Sequence, residues 1–119
     1  MTKVLIIDDD PDIRTVMNLL LKKNGYEVET AARREEALDK LNDFHPAVIL
    51  LDVLLSGVDG RELCREIKGN QQLKDVPVIM ISAHPGAAEK IESYGAVDFL
   101  TKPVNSDLLL EKVDKYSKS

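Results

Sequence analysis

The chain carries one cysteine, Cys64, in 119 residues. No internal disulfide can form, so a cross-linked secreted scaffold is excluded and a reducing compartment is the simple reading. No apolar run approaches the roughly 20 residues that a membrane-spanning helix needs. No secretory leader is visible either, because the first apolar stretch, Val4 to Ile7, stops at aspartates. Positive charge is not in excess: 16 Lys and Arg stand against 21 Asp and Glu, a formal net charge of −5. That argues against nucleic acid or an anionic membrane as the main partner, since both call for a basic face. There is no sequence repeat, no low-complexity stretch and no linker. A balance of 44% hydrophobic and 31% charged residues belongs to a folded domain rather than a disordered chain. The expectation is a single soluble, cytoplasmic domain over residues 1–119, with no room for a second.

What is present is an alternation of short apolar runs and helical patterns. Lys3 to Ile7 reads as a strand with no polar face. Pro11 to Asn24 follows as a helix, with Ile13, Val16, Met17, Leu20 and Leu21 at helical spacing. Lys22 and Lys23 suit its C-terminus and Gly25 ends it. Tyr26 to Thr30 alternates as a second strand, and Glu35 to Asn42 carries Ala37, Leu38 and Leu41 on one helical face. "AVILLD", residues 47 to 52, is apolar until Asp52, and a turn-rich "LLSGVDG" leads into a helix from Arg61 to Lys68. "VPVIMIS", residues 76 to 82, is a fourth buried strand. A helix is expected around Ala87 to Tyr94, then a short strand "VDFL" at 97 to 100, then a closing helix from Ser106 to Tyr116. Five βα units with strands apolar on both faces imply a three-layer, doubly wound α/β domain around a five-stranded parallel sheet.

In an open parallel sheet, ligands bind beyond the carboxyl ends of the strands, where the strand order reverses. Strand one ends in Asp8 and Asp9, strand three in Asp52, strand four in Ser82, and strand five is followed by Lys102 and Pro103. Three carboxylates, a hydroxyl and an ammonium thus converge on one rim. The carboxylates cannot all stay ionised cheaply without a cation. Oxygen ligands without His or Cys suit a hard ion such as Mg²⁺, which commonly completes its shell with water and phosphate oxygens. Three aspartates, one lysine and one divalent ion sum to zero charge. Such a site can accept a phosphoryl group on a carboxylate, with metal and lysine neutralising the transferring oxygens. Asp52 is the best nucleophile, alone at the end of the most buried strand while Asp8 and Asp9 form a pair.

From "KVLIIDDDPDIR" through "VILLDVLLSGVDG" and "VPVIMISA" to "GAVDFLTKP", the chain resembles the receiver domain of bacterial two-component response regulators. The resemblance runs the whole length and implies a flavodoxin-like (βα)5 fold with strand order 2-1-3-4-5 and no output domain. It implies that Asp52 is the phosphoacceptor and that Asp9 binds Mg²⁺ directly, with Mn²⁺ an acceptable substitute. Asp8 would hold a metal-bound water, and the Leu54 backbone carbonyl would be a further ligand. Ser82 matches the switch hydroxyl, Lys102 the phosphate-binding lysine and Phe99 the aromatic switch, and the Lys102–Pro103 peptide is expected to be cis. The donor would be a phosphohistidine on a sensor histidine kinase or a histidine phosphotransfer protein. The site would catalyse only its own phosphorylation and dephosphorylation, so the chain is read as a signalling switch and not as an enzyme. Output would pass to a downstream protein target, with phosphorylation-dependent dimerisation as one form of it. The exposed surface near Ile13 and the loop after Lys102 would form the kinase-docking edge.

The chain departs from the family pattern in places. Ser56 stands where proline is usual, Val97 replaces an acidic residue, and the stretch from Ser82 to Gly95 is shorter than is common. Leu54 and His84 occupy positions that tune phosphoryl lifetime in the family. Outside the rim, Asp10 reads as a helix cap before Pro11. Cys64 reads as a small core residue, His45 and His84 as loop residues, Asp59 and Gly60 as turn and helix-start chemistry, and Arg33 and Arg34 as solvated surface. The rival enzyme reading is a haloacid-dehalogenase-like phosphatase. It meets a DxD in Asp8-Asp9-Asp10 but ends in Asp12 instead of Thr or Val, and no acidic pair follows Lys102. A flavodoxin-like cofactor carrier shares the fold but needs a Ser/Thr/Gly-rich phosphate loop after strand one, which is missing.

Overall fold

The computed structural model describes residues 1–118. Five strands form one parallel sheet: β1 (Lys3–Ile7), β2 (Glu27–Ala31), β3 (Val48–Asp52), β6 (Val78–Ser82) and β7 (Asp98–Thr101). Their order is β2-β1-β3-β6-β7, which is the expected 2-1-3-4-5 when the five sheet strands are counted in chain order. A two-residue pair, β4 (Leu54–Leu55) and β5 (Val58–Asp59), makes a small antiparallel hairpin inside the turn-rich segment after β3.

The strand sequences explain the three layers. Every residue of β3 and β6 is buried, so neighbouring side chains must find apolar partners on opposite faces. Leu5, Ile7, Ile49, Leu51, Val78 and Met80 join Ala37, Leu41, Leu63, Cys64 and Ile67 on one face. These come from α2 (Arg34–Phe44) and α3 (Gly60–Lys68). Val4, Ile6, Val48, Leu50, Ile79 and Ile81 join Met17, Leu21, Leu109 and Val113 on the other, from α1 (Pro11–Lys23) and α4 (Ser106–Ser117). Truncating one of these side chains, such as Leu50 to alanine, costs about 2–5 kcal/mol. Among the described residues no helix is long and apolar enough to cross a membrane.

Local chemistry fixes the helix that follows the first acidic stretch. Asp10 is the N-cap of α1, its side chain accepting from the Asp12 and Ile13 N–H groups, with Pro11 in the first turn. Lys22 and Lys23 fall in the last turn, as expected. The strand β2 begins one residue later than the alternation suggested, which places Val28 and Ala31 inward.

One expectation fails. The helix around Ala87 to Tyr94 is absent, and two 3₁₀ turns stand there, Pro85–Ala88 and Ile91–Tyr94. Lys90 between them takes a left-handed backbone, φ 61°, which no α-helix can carry through. Neither turn has a side-chain cap. Ala87 and Ile91 still reach the core, so their helical spacing reports burial without an α-helix. Tyr94 is tied to α3 instead, its ring centroid 4.4 Å from the Arg65 guanidinium and 5.6 Å from that of Arg61. The described residues therefore form four α-helices around a (βα)5 framework.

Candidate functional site

The parallel strands deliver their C-terminal ends to one rim, and the charged residues there meet. Asp8 follows β1, Asp52 ends β3 beside Ile81 of β6, and Ser82 ends β6 opposite Thr101 of β7. Asp8, Ser82 and Asp52 are 1%, 1% and 5% exposed, the buried polar residues among those described. Lys102, just after β7, reaches across to the ends of β1 and β3, its Nζ 3.1 Å from Asp8 Oδ2 and 3.4 Å from Asp52 Oδ2. One carboxylate oxygen from each of Asp8, Asp9 and Asp52 lies within 4.8 Å of the others.

Backbone groups hold these side chains in place. Asp8 Oδ1 accepts the Asp10 N–H at 2.9 Å, and Asp52 Oδ1 accepts the Leu54 N–H at 3.3 Å. The Arg14 guanidinium, one turn into α1, donates to the Asp8 carbonyl at 2.7 Å. Ser56 Oγ, at the tip of the β4–β5 hairpin, donates to Asp9 Oδ2 at 2.9 Å. Gly60 lets the start of α3 close against this structure. A Cβ there would lie 2.0 Å from the Asp52 carbonyl oxygen, and the Gly60 N–H donates to the Val53 carbonyl at 2.6 Å.

The electrostatics are those of a site short of positive charge. Burial, then the neighbouring Asp8 carboxylate, push the Asp52 carboxyl up to about 6, against the pull of Lys102 and the Leu54 N–H. Burial works against the Lys102 ammonium, yet Asp8 and Asp52 more than offset it and hold its pKa above the ordinary lysine value. Asp8 Oδ2 is fully buried, and the Lys102 ammonium at 3.1 Å is its charged neighbour. Three clustered carboxylates with a single lysine among them fit a hard divalent cation, since all the donors are oxygen.

The structure thus brings Asp8, Asp9, Asp52 and Lys102 together. Ser82 lies beside them through the backbone, its carbonyl accepting the Lys102 N–H at 2.9 Å, while its hydroxyl accepts the His84 N–H at 3.1 Å. The Leu54 side chain is exposed and its backbone follows Asp52 into the hairpin. Phe99 sits on β7 opposite Met80, a strand away from the charges, its ring half-buried against the α2–α3 side of the core. The Lys102–Pro103 peptide is cis. Cys64 is buried, and its thiol is pushed up to about 11 by burial, as befits an inert core residue. Sequence reasoning passed over Arg14 and the Ser56–Asp9 bond. Arg14 carried a faint signal, a basic residue one turn past the helix start, and Ser56 stood out only as a serine where the family usually has proline, which did not point to Asp9.

Residues 4–114 match the family model of the response regulator receiver domain. The protein PilG of Pseudomonas aeruginosa is 40% identical over 110 residues, covering 91% of this chain and 82% of PilG. The chemotaxis protein CheY4 of Vibrio cholerae superposes with a TM-score of 0.91 at 34% identity, over 98% of both chains. The receiver domain of NtrX from Brucella abortus gives 0.90 at 35% identity, again over 98% of both.

Proposed function

The chain belongs to the response regulator receiver domain family, and from that membership we propose that Asp52 is its phosphoacceptor. Response regulators work between histidine kinases and downstream effectors. The donor here is read as a phosphohistidine on a sensor histidine kinase or a histidine phosphotransfer protein. An Asp52 carboxylate oxygen attacks phosphorus, the bond from phosphorus to the imidazole nitrogen breaks, and the imidazole leaves with a proton. Water later attacks the same phosphorus and returns Asp52 to the free carboxylate. No other substrate is turned over.

The observation that carries this reading is the setting of Asp52. Its carboxyl is 5% exposed, ends the central strand, and faces the Lys102 ammonium at 3.4 Å. Lys102 is placed to receive the phosphoryl oxygens as their charge shifts during transfer. Asp9, Asp52 and the Leu54 carbonyl are assigned as direct ligands of Mg²⁺, or of Mn²⁺ in its place, with Asp8 holding a bound water. The ion, when bound, would supply positive charge to neutralise the phosphoryl oxygens together with Lys102. Ser82 ends the adjacent strand, and a phosphoryl group on Asp52 would offer its hydroxyl a stronger acceptor than it now has. Movement of Ser82 would draw Phe99 inward and reshape the face of β6 and β7, the 3₁₀ turns between them and α4, a two-state change driven by local charge. The setting proposed is the cytoplasm, and the output is binding to a protein target, with dimerisation on phosphorylation as one route.

Intact mass after incubation with acetyl phosphate and Mg²⁺ tests the reading. Wild-type protein should gain one labile phosphoryl group, and the gain should vanish in Asp52→Ala and without metal. Uptake that persists in Asp52→Ala would refute Asp52 as acceptor. Turnover of a phosphate ester that is lost with Asp8→Asn but kept with Asp52→Asn would favour a phosphatase instead.

A further inference from the structure

Asp9 is held differently from the two carboxylates beside it. Asp8 is oriented by the Asp10 N–H and by Lys102, and Asp52 by the Leu54 N–H and by Lys102. Asp9 receives the hydroxyl of Ser56 instead, at 2.9 Å. That bond joins residues 47 apart in sequence and ties the end of β1 to the tip of the β4–β5 hairpin. Ser56 and Gly57 are the two central residues of that hairpin, and Gly57 takes a φ of 72°, so the turn folds Ser56 back over the acidic rim.

We propose that Ser56 is a positioning residue for the cation of this site, fixing the Asp9 carboxylate in the orientation that binds the ion and so setting cation affinity. The proposal rests on the cation reading given above. Carboxylate oxygens brought within 4.8 Å of one another repel. Asp8 and Asp52 are restrained against that repulsion by the backbone and by Lys102. Asp9 is half-buried, with solvent open to its side chain, and Ser56 supplies the restraint. The hydroxyl takes one of about four acceptor positions on the carboxylate, which leaves the rest for the ion. It also locks the hairpin bearing the Leu54 carbonyl to the loop after β1 that bears Asp9, so two ligand sources arrive already in register. Outer-shell partners that orient a ligand change metal affinity roughly 10- to 100-fold, and an exposed serine belongs at the low end.

The test is calorimetric titration of Mg²⁺ into metal-stripped wild type, Ser56→Ala and Ser56→Thr, beside phosphoryl uptake from acetyl phosphate at rising Mg²⁺. Ser56→Ala should bind Mg²⁺ about tenfold more weakly, and Ser56→Thr, which keeps the hydroxyl, should return to within about threefold of wild type. At saturating Mg²⁺ the uptake rate of Ser56→Ala should match wild type, so only the half-saturating concentration moves. Equal or tighter Mg²⁺ binding by Ser56→Ala, or a rate defect that persists at saturation, would overturn the proposal while leaving the cation reading intact. A wild-type protein that takes up no Mg²⁺ would overturn both.

Discussion

Asparagine at position 52 should make the metal-free protein more stable, and the gain should depend on pH. Asn has the shape of the neutral acid and keeps an oxygen for the Leu54 N–H, which approaches Asp52 Oδ1 at 3.3 Å. What it lacks is the charge. The Asp52 carboxyl is raised from 3.8 to about 6 by burial and by Asp8. Between those two pH values the folded chain holds the Asp52 proton more tightly than the unfolded chain does. Wild-type stability therefore falls as pH rises through that window, and above it the full penalty of the buried charge is present. A shift of about two units corresponds to about 3 kcal/mol. The same linkage gives a gain for Asp52→Asn of about 3 kcal/mol at pH 8 and about 1 kcal/mol at pH 4.5. Urea unfolding followed by far-ultraviolet circular dichroism in EDTA suits the measurement, because the chain has no tryptophan to report by fluorescence. With a slope of roughly 1–3 kcal/mol/M, the midpoint at pH 8 should move by roughly 1–3 M. Mg²⁺ at a hundred times its dissociation constant should return about 2.7 kcal/mol to the wild type and close most of the gap. A variant no more stable than wild type at pH 8, or a gain that ignores pH, would refute the account of Asp52 as a charge held at a cost.

Three further outcomes are expected. Lys102→Met leaves Asp8 and Asp52 facing each other without their ammonium, so the metal-free protein should lose about 3–5 kcal/mol at pH 8. It should recover part of that at pH 5, where Asp52 takes a proton, as paired urea titrations would record. Gly60→Ala should destabilise by about 1–3 kcal/mol although alanine favours helices, because its Cβ would meet the Asp52 carbonyl at 2.0 Å; Gly69→Ala, with only ordinary contacts to α3 carbonyls, should be neutral or stabilising in the same thermal melts. Tyr94→Ala removes the ring that Arg61 and Arg65 cover, so hydrogen exchange should quicken in residues 85–95 while β3 stays protected.

The sequence made the floor of the site legible and left its rim obscure, and the reason is geometric. Apolar runs of parallel-strand character can only stack with their C-terminal ends on one side. Asp8, Asp52, Ser82 and Lys102 could therefore be assigned to one place without knowing a single loop. Ser56 could not. Its meeting with Asp9 depends on a two-residue hairpin whose path is set by Gly57 and by the close approach at Gly60, and neither leaves a periodic trace. The segment from Ser82 to Gly95 misled for a related reason. Ala87 and Ile91 are four residues apart, as on a helix, but that spacing records only that both are buried. Two 3₁₀ turns broken at Lys90 satisfy it as well as a helix does. The strand ends hold charges that any such sheet would bring together. The hairpin bond to Asp9 and the Tyr94 anchor on α3 belong to loops, where a change of one residue alters the site or its outer surface while the sheet beneath stays as it is.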